Sequence, residues 1–280
     1  MEHAIEKPVP LEPRLIRQYL ALLGVSRREP GPDALAELVA AHLTRIPFEN
    51  ISKLCYRKRF GLAGLTPLPQ FLDGIEHYHF GGTCYSNNFH FYSLLASLGY
   101  DVKLCGADMS NPDVHMVSLV RMEGREYVVD AGYAAPFLKP LPRDLAEDYE
   151  IRLGRDRYVL RPQDAAGCSR LELHRNGVLQ HGYLTKPTPR RIEDFSQVIA
   201  DSFQPGATFL NSVLLARFYP DRSTVIHNLT VIESRGANCT VRSLRSRDEL
   251  AAEVEKLFDI PGSIVVEALA DLGPLENAWA

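Results

Sequence analysis

Apolar residues recur at helical spacing through most of residues 10 to 98, and the period changes to two after Tyr100. Leu15, Ile16, Tyr19, Leu20, Leu22 and Leu23 form one face of a first helix, with Gly24 as its stop. In GPDALAELVAAHL, Pro32 suits a first turn and Leu35, Leu38, Val39 and Leu43 share a face, which predicts a second helix. Two further helices are expected, one from about Pro67 to Tyr78 and one starting near Cys84. Together these make a helical first layer.

The stretches DVKLCGADM, VHMVSLVRM, REYVVDAGY, YEIRL, DRYVLRP, RLELHRN and VLQHGYL are short, β-branched or aromatic, and separated by turn residues. Asn176-Gly177 between two of them is a hairpin signal. Residues 100 to 187 therefore read as an antiparallel barrel or strongly curved sheet. After the proline-marked break KPTPRR the pattern mixes: a helix at about 191 to 203, strands near STVIHNLTVIES and CTVRSL, and a helix in SRDELAAEVEKLFDI. Ser246 and Glu249 form a capping-box pattern at the start of that last helix.

Composition narrows the function classes. With 280 residues, 45% hydrophobic and 24% charged, and a net charge of −4, the chain reads as an ordinary globular protein. That balance gives no reason to expect nucleic acid or an anionic membrane as a partner. MEHAIEKPVP lacks the apolar core of a secretory signal, and no apolar run approaches the ~20 residues of a membrane helix. The five cysteines, Cys55, Cys84, Cys105, Cys168 and Cys239, are scattered and form no C-x-x-C pair. This argues against a disulfide framework and a zinc site, so no metal is expected, and a reducing cytoplasmic location is.

GGTCYSNN puts Cys84 in the first turn of a helix, whose partial positive charge helps a thiol act as a nucleophile. On its own, Cys84 reads equally as a small buried hydrophobe. The hairpin DVHMVSLVRMEGREYVVDAGY adds partners. If Glu123-Gly124 is a two-residue turn, Met122 opposes Arg125, Val117 opposes Asp130 and His115 opposes Gly132. His115 and Asp130 then share a face as diagonal neighbours. A turn one residue longer would place them on opposite faces unless a bulge intervened. A histidine oriented by a buried carboxylate is what a nucleophilic cysteine requires. Cys55 in KLCYRKR is a rival thiol, but local geometry places no histidine beside it. His90 faces away from Cys84 on one helix, Asp108 and Asp113 read as solvated loop residues, and nothing local directs His227 to a site.

RIPFENIS (45 to 52), GGTCY (81 to 85), HMVSLV (115 to 120) and YVVDAGY (127 to 133), in this order, resemble the arylamine N-acetyltransferases. EDFSQVIADSFQPGATF resembles that family's third segment. The resemblance implies an α+β fold with a cysteine-protease-like catalytic core: a helical bundle (1–98) with the nucleophile, an antiparallel β-barrel (99–190) with its partners, and an α/β lid (191–280). It maps the catalytic cysteine, histidine and aspartate onto Cys84, His115 and Asp130. It also implies a ping-pong reaction in which the cysteine takes an acyl group from a thioester, usually acetyl-coenzyme A, and passes it to an arylamine, arylhydroxylamine or hydrazine.

The sequence departs from the family pattern in three places. Phe80 stands where arginine is usual before the two glycines, and Ser86 where glutamate is usual after the cysteine, which suggests one ion pair removed as a unit. In the third segment, Ala207 replaces a serine in the run Pro205 to Phe209. Thr208 and Phe209 remain candidates for coenzyme A contact, and Phe48 and Phe137, with Phe209, for the acceptor pocket; each phenylalanine reads equally as core. Pro47, Phe48, Glu49 and Asn50 read as structural, the last two bonding to backbone. The alternatives to acetyl transfer are an amide synthase served by an acyl carrier protein, a thiol hydrolase with the same triad, and a non-catalytic binding protein that kept the fold.

Overall fold

The computed structural model describes residues 10–275; the N-terminal stretch read above as lacking a secretory signal falls almost wholly outside the described residues, as do 276–280. The first part contains α1 (Pro13–Leu23), α2 (Pro32–Arg45), the two-residue strand β1 (Phe48–Glu49), α3 (Ile51–Phe60), α4 (Leu68–Tyr78) and α5 (Cys84–Ser97). The helices expected at α1, α2, α4 and α5 are present. Helix α3 has no apolar stripe because its burial runs along the axis: Ile51 to Tyr56 are buried, and Arg57 to Phe60 are exposed.

The middle part holds β2 (Asp101–Asp108), β3 (His115–Met122), β4 (Arg125–Val129), β5 (Leu141–Pro142), β6 (Tyr149–Leu153), β7 (Asp156–Leu160), β8 (Ser169–Arg175) and β9 (Val178–Pro189). They form one antiparallel sheet in the order β5-β4-β3-β2-β9-β8-β7-β6. The β3–β4 turn has two residues, Glu123 and Gly124, at φ 49° and 77°, and Met122 pairs with Arg125. Two positive φ values give the turn the twist that adjacent strands need. Arg143, 1% exposed, helps curl the sheet: it donates Nε to Ser169 Oγ (3.1 Å), Nη1 to Glu126 (2.6 Å) and Nη2 to the Gly167 carbonyl. Its side chain thus links the end of β5 to the start of β8.

The last part begins with a 3₁₀ turn at 192–195 that continues into α6 (Ser196–Asp201). A second 3₁₀ turn covers 208–210. There follow β10 (Leu214–Phe218), β11 (Arg222–His227), β12 (Thr230–Arg235), β13 (Asn238–Ser243), α7 (Arg247–Phe258) and α8 (Gly262–Leu269). Ser246 caps α7, its hydroxyl accepting from the Glu249 amide at 3.1 Å. Neither β10 nor α8 stands out in the sequence; GSIVVEAL is apolar on too many sides to show a stripe.

The three sequence segments interlock. Strand β1 pairs with β10, so the five-stranded sheet β1-β10-β11-β12-β13 takes its edge from the N-terminal part. Helix α3 packs with the C-terminal helices through Ile51, Leu54, Leu250, Val254 and Val265. Another buried cluster joins Leu35 and Leu94 of the helices to Val117, Val128 and Leu171 of the barrel. The start of α5 lies where these parts meet. Among the described residues, no helix is long and apolar enough to cross a membrane.

Candidate active site

Cys84 is the first residue of α5 and is half-buried. Two glycines bring it there. A Cβ on Gly81 would fall 1.9 Å from the Pro47 carbonyl oxygen, and one on Gly82 would fall 2.8 Å from Ser86 Cβ. The loop is held by β1: Glu49 donates its amide to the Gly82 carbonyl (3.1 Å) and accepts the Gly81 amide on its carboxylate (3.0 Å). Asn87 donates its side-chain N–H to the Gly82 carbonyl at 2.9 Å. The remaining amides of the first turn have no intrahelical acceptor, as at any helix start.

His115 opens β3, and Asp130 follows β4; both are 2% exposed. His115 Nε2 lies 2.9 Å from Asp130 Oδ2, as the two-residue turn requires. The Cys84 thiol lies near enough to the imidazole to favour its charged form. Burial by itself pulls the His115 pKa down, but the Asp130 charge, its hydrogen bond and the contact with Cys84 reverse this and push it up to about 10. Burial likewise opposes the Asp130 charge, but the His115 cation and hydrogen bonds from His115, Asn88 and Gly132 hold its carboxyl below the usual range.

Asn88 joins the two halves of this arrangement, one helical turn after Cys84. Its Nδ2 donates to the Met116 carbonyl (2.6 Å) and Asp130 Oδ1 (2.9 Å), and its Oδ1 accepts from the Ala131 amide (2.7 Å). Gly132 completes the contact: its amide donates to Asp130 Oδ1 at 2.9 Å, and a Cβ there would fall 2.7 Å from Cys84 Cα. Tyr85 donates its hydroxyl to the Val114 carbonyl at 3.0 Å, tying α5 to the residue before His115. The Tyr183 and Tyr133 rings flank His115 at centroid distances of 5.0 and 5.8 Å.

The rivals have other roles. Cys55 is fully buried, and burial pushes its thiol up; the same cause pushes Cys105 up to about 12. His90 lies 2.8 Å from the Thr66 carbonyl and is pushed down to about 4 by burial. Asp108 and Asp113 are not simply solvated: both pair with Lys186 at 2.7 Å, and Asp113 also with Arg190 at 2.5 Å. His227 ends β11 in the C-terminal sheet.

The expected binding residues divide. Phe48 and Phe209 meet edge to face at 5.5 Å, with Ala134 and Leu138 in the same apolar cluster. Asn50 fixes this contact by donating to the Phe209 and Ser212 carbonyls (3.0 and 2.7 Å) and accepting from the Leu214 amide (2.9 Å). Thr208 is exposed beside it. Phe137 sits apart in the core, 1% exposed and stacked on Tyr133 at 6.0 Å. Phe80 packs against Tyr56 and Tyr78 at 5.7 and 5.3 Å, whereas Ser86 lines a cleft with Lys53, so the two replacements face different surroundings. Among the described residues, no group of three or more metal-ligating side chains converges.

Asn88 was within reach of sequence reasoning, since it lies four residues after Cys84 and so shares its helix face. Lys53 and Tyr183 carry no such local signal.

An N-acetyltransferase family model matches residues 33–264. The chain is 29% identical over 140 residues to the chicken pineal gland arylamine N-acetyltransferase isozyme NAT-10; that match spans 46% of this chain and 47% of the chicken protein. It is 25% identical over 260 residues to proansamycin X synthase of Amycolatopsis mediterranei, spanning 87% of this chain and 96% of that protein. Its fold matches the Mycobacterium marinum arylamine N-acetyltransferase solved in complex with CoA, with a TM-score of 0.74, 22% identity, and coverage of 92% of this chain and 95% of that one.

Proposed function

We infer the reaction from one premise: this chain belongs to the arylamine N-acetyltransferase family, whose model matches residues 33–264. The proposed activity is acetyl transfer from acetyl-coenzyme A to an arylamine, arylhydroxylamine or hydrazine through an acyl-Cys84 intermediate. The observation that carries it is the hydrogen-bonded His115–Asp130 pair at 2.9 Å beside Cys84, which supports reading the three as a Cys-His-Asp triad.

Each residue has a defined proton or charge to handle. The Cys84 thiol gives its proton to His115, whose cation Asp130 stabilises. Sulfur attacks the thioester carbonyl, and the first-turn amides of α5, which lack intrahelical acceptors, are the proposed donors to the negative charge that develops on its oxygen. As the carbon–sulfur bond of the donor breaks, His115 returns its proton to the departing thiolate. The amine then attacks the acyl-enzyme, His115 takes the amine proton, and Cys84 leaves as thiolate.

The residues present fit a coenzyme A donor. Thr208 offers an exposed hydroxyl beside Phe209, and Phe209 packs on Phe48, which bridges directly to Gly82 of the nucleophile's loop. The apolar pair of Phe48 and Phe209 is the proposed wall for an aromatic acceptor. The division 1–98, 99–190 and 191–280 serves this reading as nucleophile segment, base segment and covering segment. A cytoplasmic site of action agrees with the free cysteines.

A second reading has its own support: the near-full-length similarity to proansamycin X synthase, against a match to about half of the chicken enzyme. It would make the protein an amide synthase that takes a longer acyl group from a carrier protein. Initial rates with acetyl-coenzyme A and an arylhydrazine separate the possibilities. Parallel double-reciprocal lines and acetylhydrazide product support the leading reading. Release of acetate at the same rate with and without hydrazine indicates a hydrolase, and acylation only by a carrier-bound donor indicates the synthase.

A further inference from the structure

Residues 109–114 join β2 to β3, and the joint is held by charge. Asp113, two residues before His115, lies between two cations: its carboxylate pairs with Lys186 at 2.7 Å and accepts from Arg190 Nη2 at 2.5 Å. Lys186 also pairs with Asp108 at 2.7 Å, and Asp108 in turn accepts the Asp113 amide at 2.8 Å. Partial burial alone would pull the Lys186 pKa down, but the two carboxylates reverse this and raise it.

The backbone is shaped around this cluster. Asp113 adopts φ 54°, a left-handed conformation that aspartate tolerates better than most residues. Its carboxylate lies over Gly106 of β2, where a Cβ would fall 1.9 Å from Oδ1 and 3.5 Å from Lys186 Cε. The pairing of β2 with β9 is irregular here, stepping from Cys105–Pro189 to Ala107–Thr185, so that Lys186, Pro187 and Thr188 stand against Gly106 alone. Such a bulge re-aims side chains, and Lys186 is the one that meets Asp113. The Arg190 amide donates to the Leu104 carbonyl at 2.8 Å, which anchors the second cation on β2 as well.

His115 takes its place from this joint. It pairs with Ala107 at the end of the β2–β3 ladder, and the Val114 carbonyl before it accepts from the Tyr85 hydroxyl at 3.0 Å. Asp130 takes Nε2 of the ring, which leaves Nδ1 for the Cys84 thiol. Nδ1 is bonded to Cγ, the ring atom nearest the main chain, so its position follows the backbone more closely than that of Nε2. We propose that Asp113, held by Lys186 and Arg190, is a positioning residue: it fixes the backbone entering His115 and so sets Nδ1 against the thiol. The proposal rests on His115 being the base for Cys84. The four charged side chains are 19–34% exposed, a setting in which ion pairs add little to global stability, so the fold should survive their loss.

The pH profile of Cys84 alkylation by iodoacetamide, read on the Cys84 peptide by mass spectrometry, tests this. A looser imidazolium supports the thiolate less, so the thiolate forms at higher pH. In Asp113→Asn, which keeps the left-handed preference and loses the charge, the profile should move up by about one pH unit, slowing alkylation near pH 6 about tenfold. Its alkaline plateau should match the wild type. Lys186→Met combined with Arg190→Met should repeat this shift, and Lys186→Arg should stay near the wild type. Gly106→Ala keeps all four charges but places a methyl where the carboxylate lies, and should shift the profile in the same direction. An unchanged profile in Asp113→Asn and Gly106→Ala, with only a lower melting temperature, would overturn the proposal and leave the cluster a structural tie. A wild-type profile in His115→Gln would instead remove the base reading on which the proposal rests.

Discussion

Glu49 and Asp130 are both buried carboxylates bonded to loops that touch Cys84, yet their charges fare differently. Glu49 accepts amides from Gly81 and Ser52, at 3.0 and 2.9 Å, and burial raises its pKa despite those bonds. Asp130 accepts comparable bonds from Asn88 and Gly132, but His115 stands 2.9 Å away and its pKa is lowered. Burial opposes ionisation in both places; only a neighbouring cation outweighs it. The barrel side of the nucleophile therefore carries a committed ion pair, while Glu49 supports the glycine loop as a hydrogen-bond acceptor.

The largest expected effect follows from removing that difference. Asp130→Asn keeps the shape but loses the charge, and should lower kcat/KM by roughly 10³–10⁴-fold, the scale of such a change in other triads. Thermal melting at neutral pH should also drop, because the stability that the ionised Asp130 contributes there is lost, while circular dichroism checks that the fold itself is kept.

Asn88→Ala comes next, because it takes a partner from the Met116 carbonyl and the Ala131 amide and leaves Asp130 Oδ1 with the Gly132 amide alone. Urea unfolding should show a loss on the order of 3 kcal/mol, given a cost of about 1–3 kcal/mol for each buried polar group left unsatisfied. Weaker support for the Asp130 charge should also bring the alkaline limb of the pH–rate profile down from that of the wild type, since His115 loses part of what raises it to about 10.

Glu49→Gln should have the smallest effect on rate, less than about tenfold, because the residue has a positioning role only. Its signature is in pH-dependent stability. A raised carboxyl pKa contributes stability that is complete below the unfolded value near 4.5 and is lost as pH rises through the folded value. Asp130 has the opposite sign: its contribution is present above the unfolded value near 3.8 and is lost as pH falls through the folded one. Urea midpoints measured from pH 4 to 7 should therefore fall less steeply with rising pH in Glu49→Gln than in the wild type.

The same contrast explains what could be read from sequence. Pairing His115 with Asp130 needed only strand parity and a two-residue turn, and the turn at Glu123-Gly124 forms with that register. Helices α1, α2 and α4 and strands such as β6 and β8 were legible because one face is more buried than the other, whereas β3 was legible from its β-branched run between turn residues, since His115 to Val120 are all buried. Helix α3 escaped because its burial runs along the axis, and α8 because the exposed Val266 blurs the stripe formed by Ile264, Val265, Ala268 and Leu269. The surroundings of Glu49, Lys53 and Phe137 were also hidden, since each depends on contacts between distant segments. Lys53, for example, meets Ser202 across 149 residues of chain.

The acyl-Cys84 intermediate can be sought in a single turnover without acceptor. Protein mixed with acetyl-coenzyme A should gain the mass of one acetyl group, located on the Cys84 peptide, and lose it when an arylhydrazine is added, with acetylhydrazide appearing in equal amount. Acetylhydrazide formed by a protein that never carries the label, or a label that stays on Cys84 while product accumulates, would contradict transfer through this cysteine.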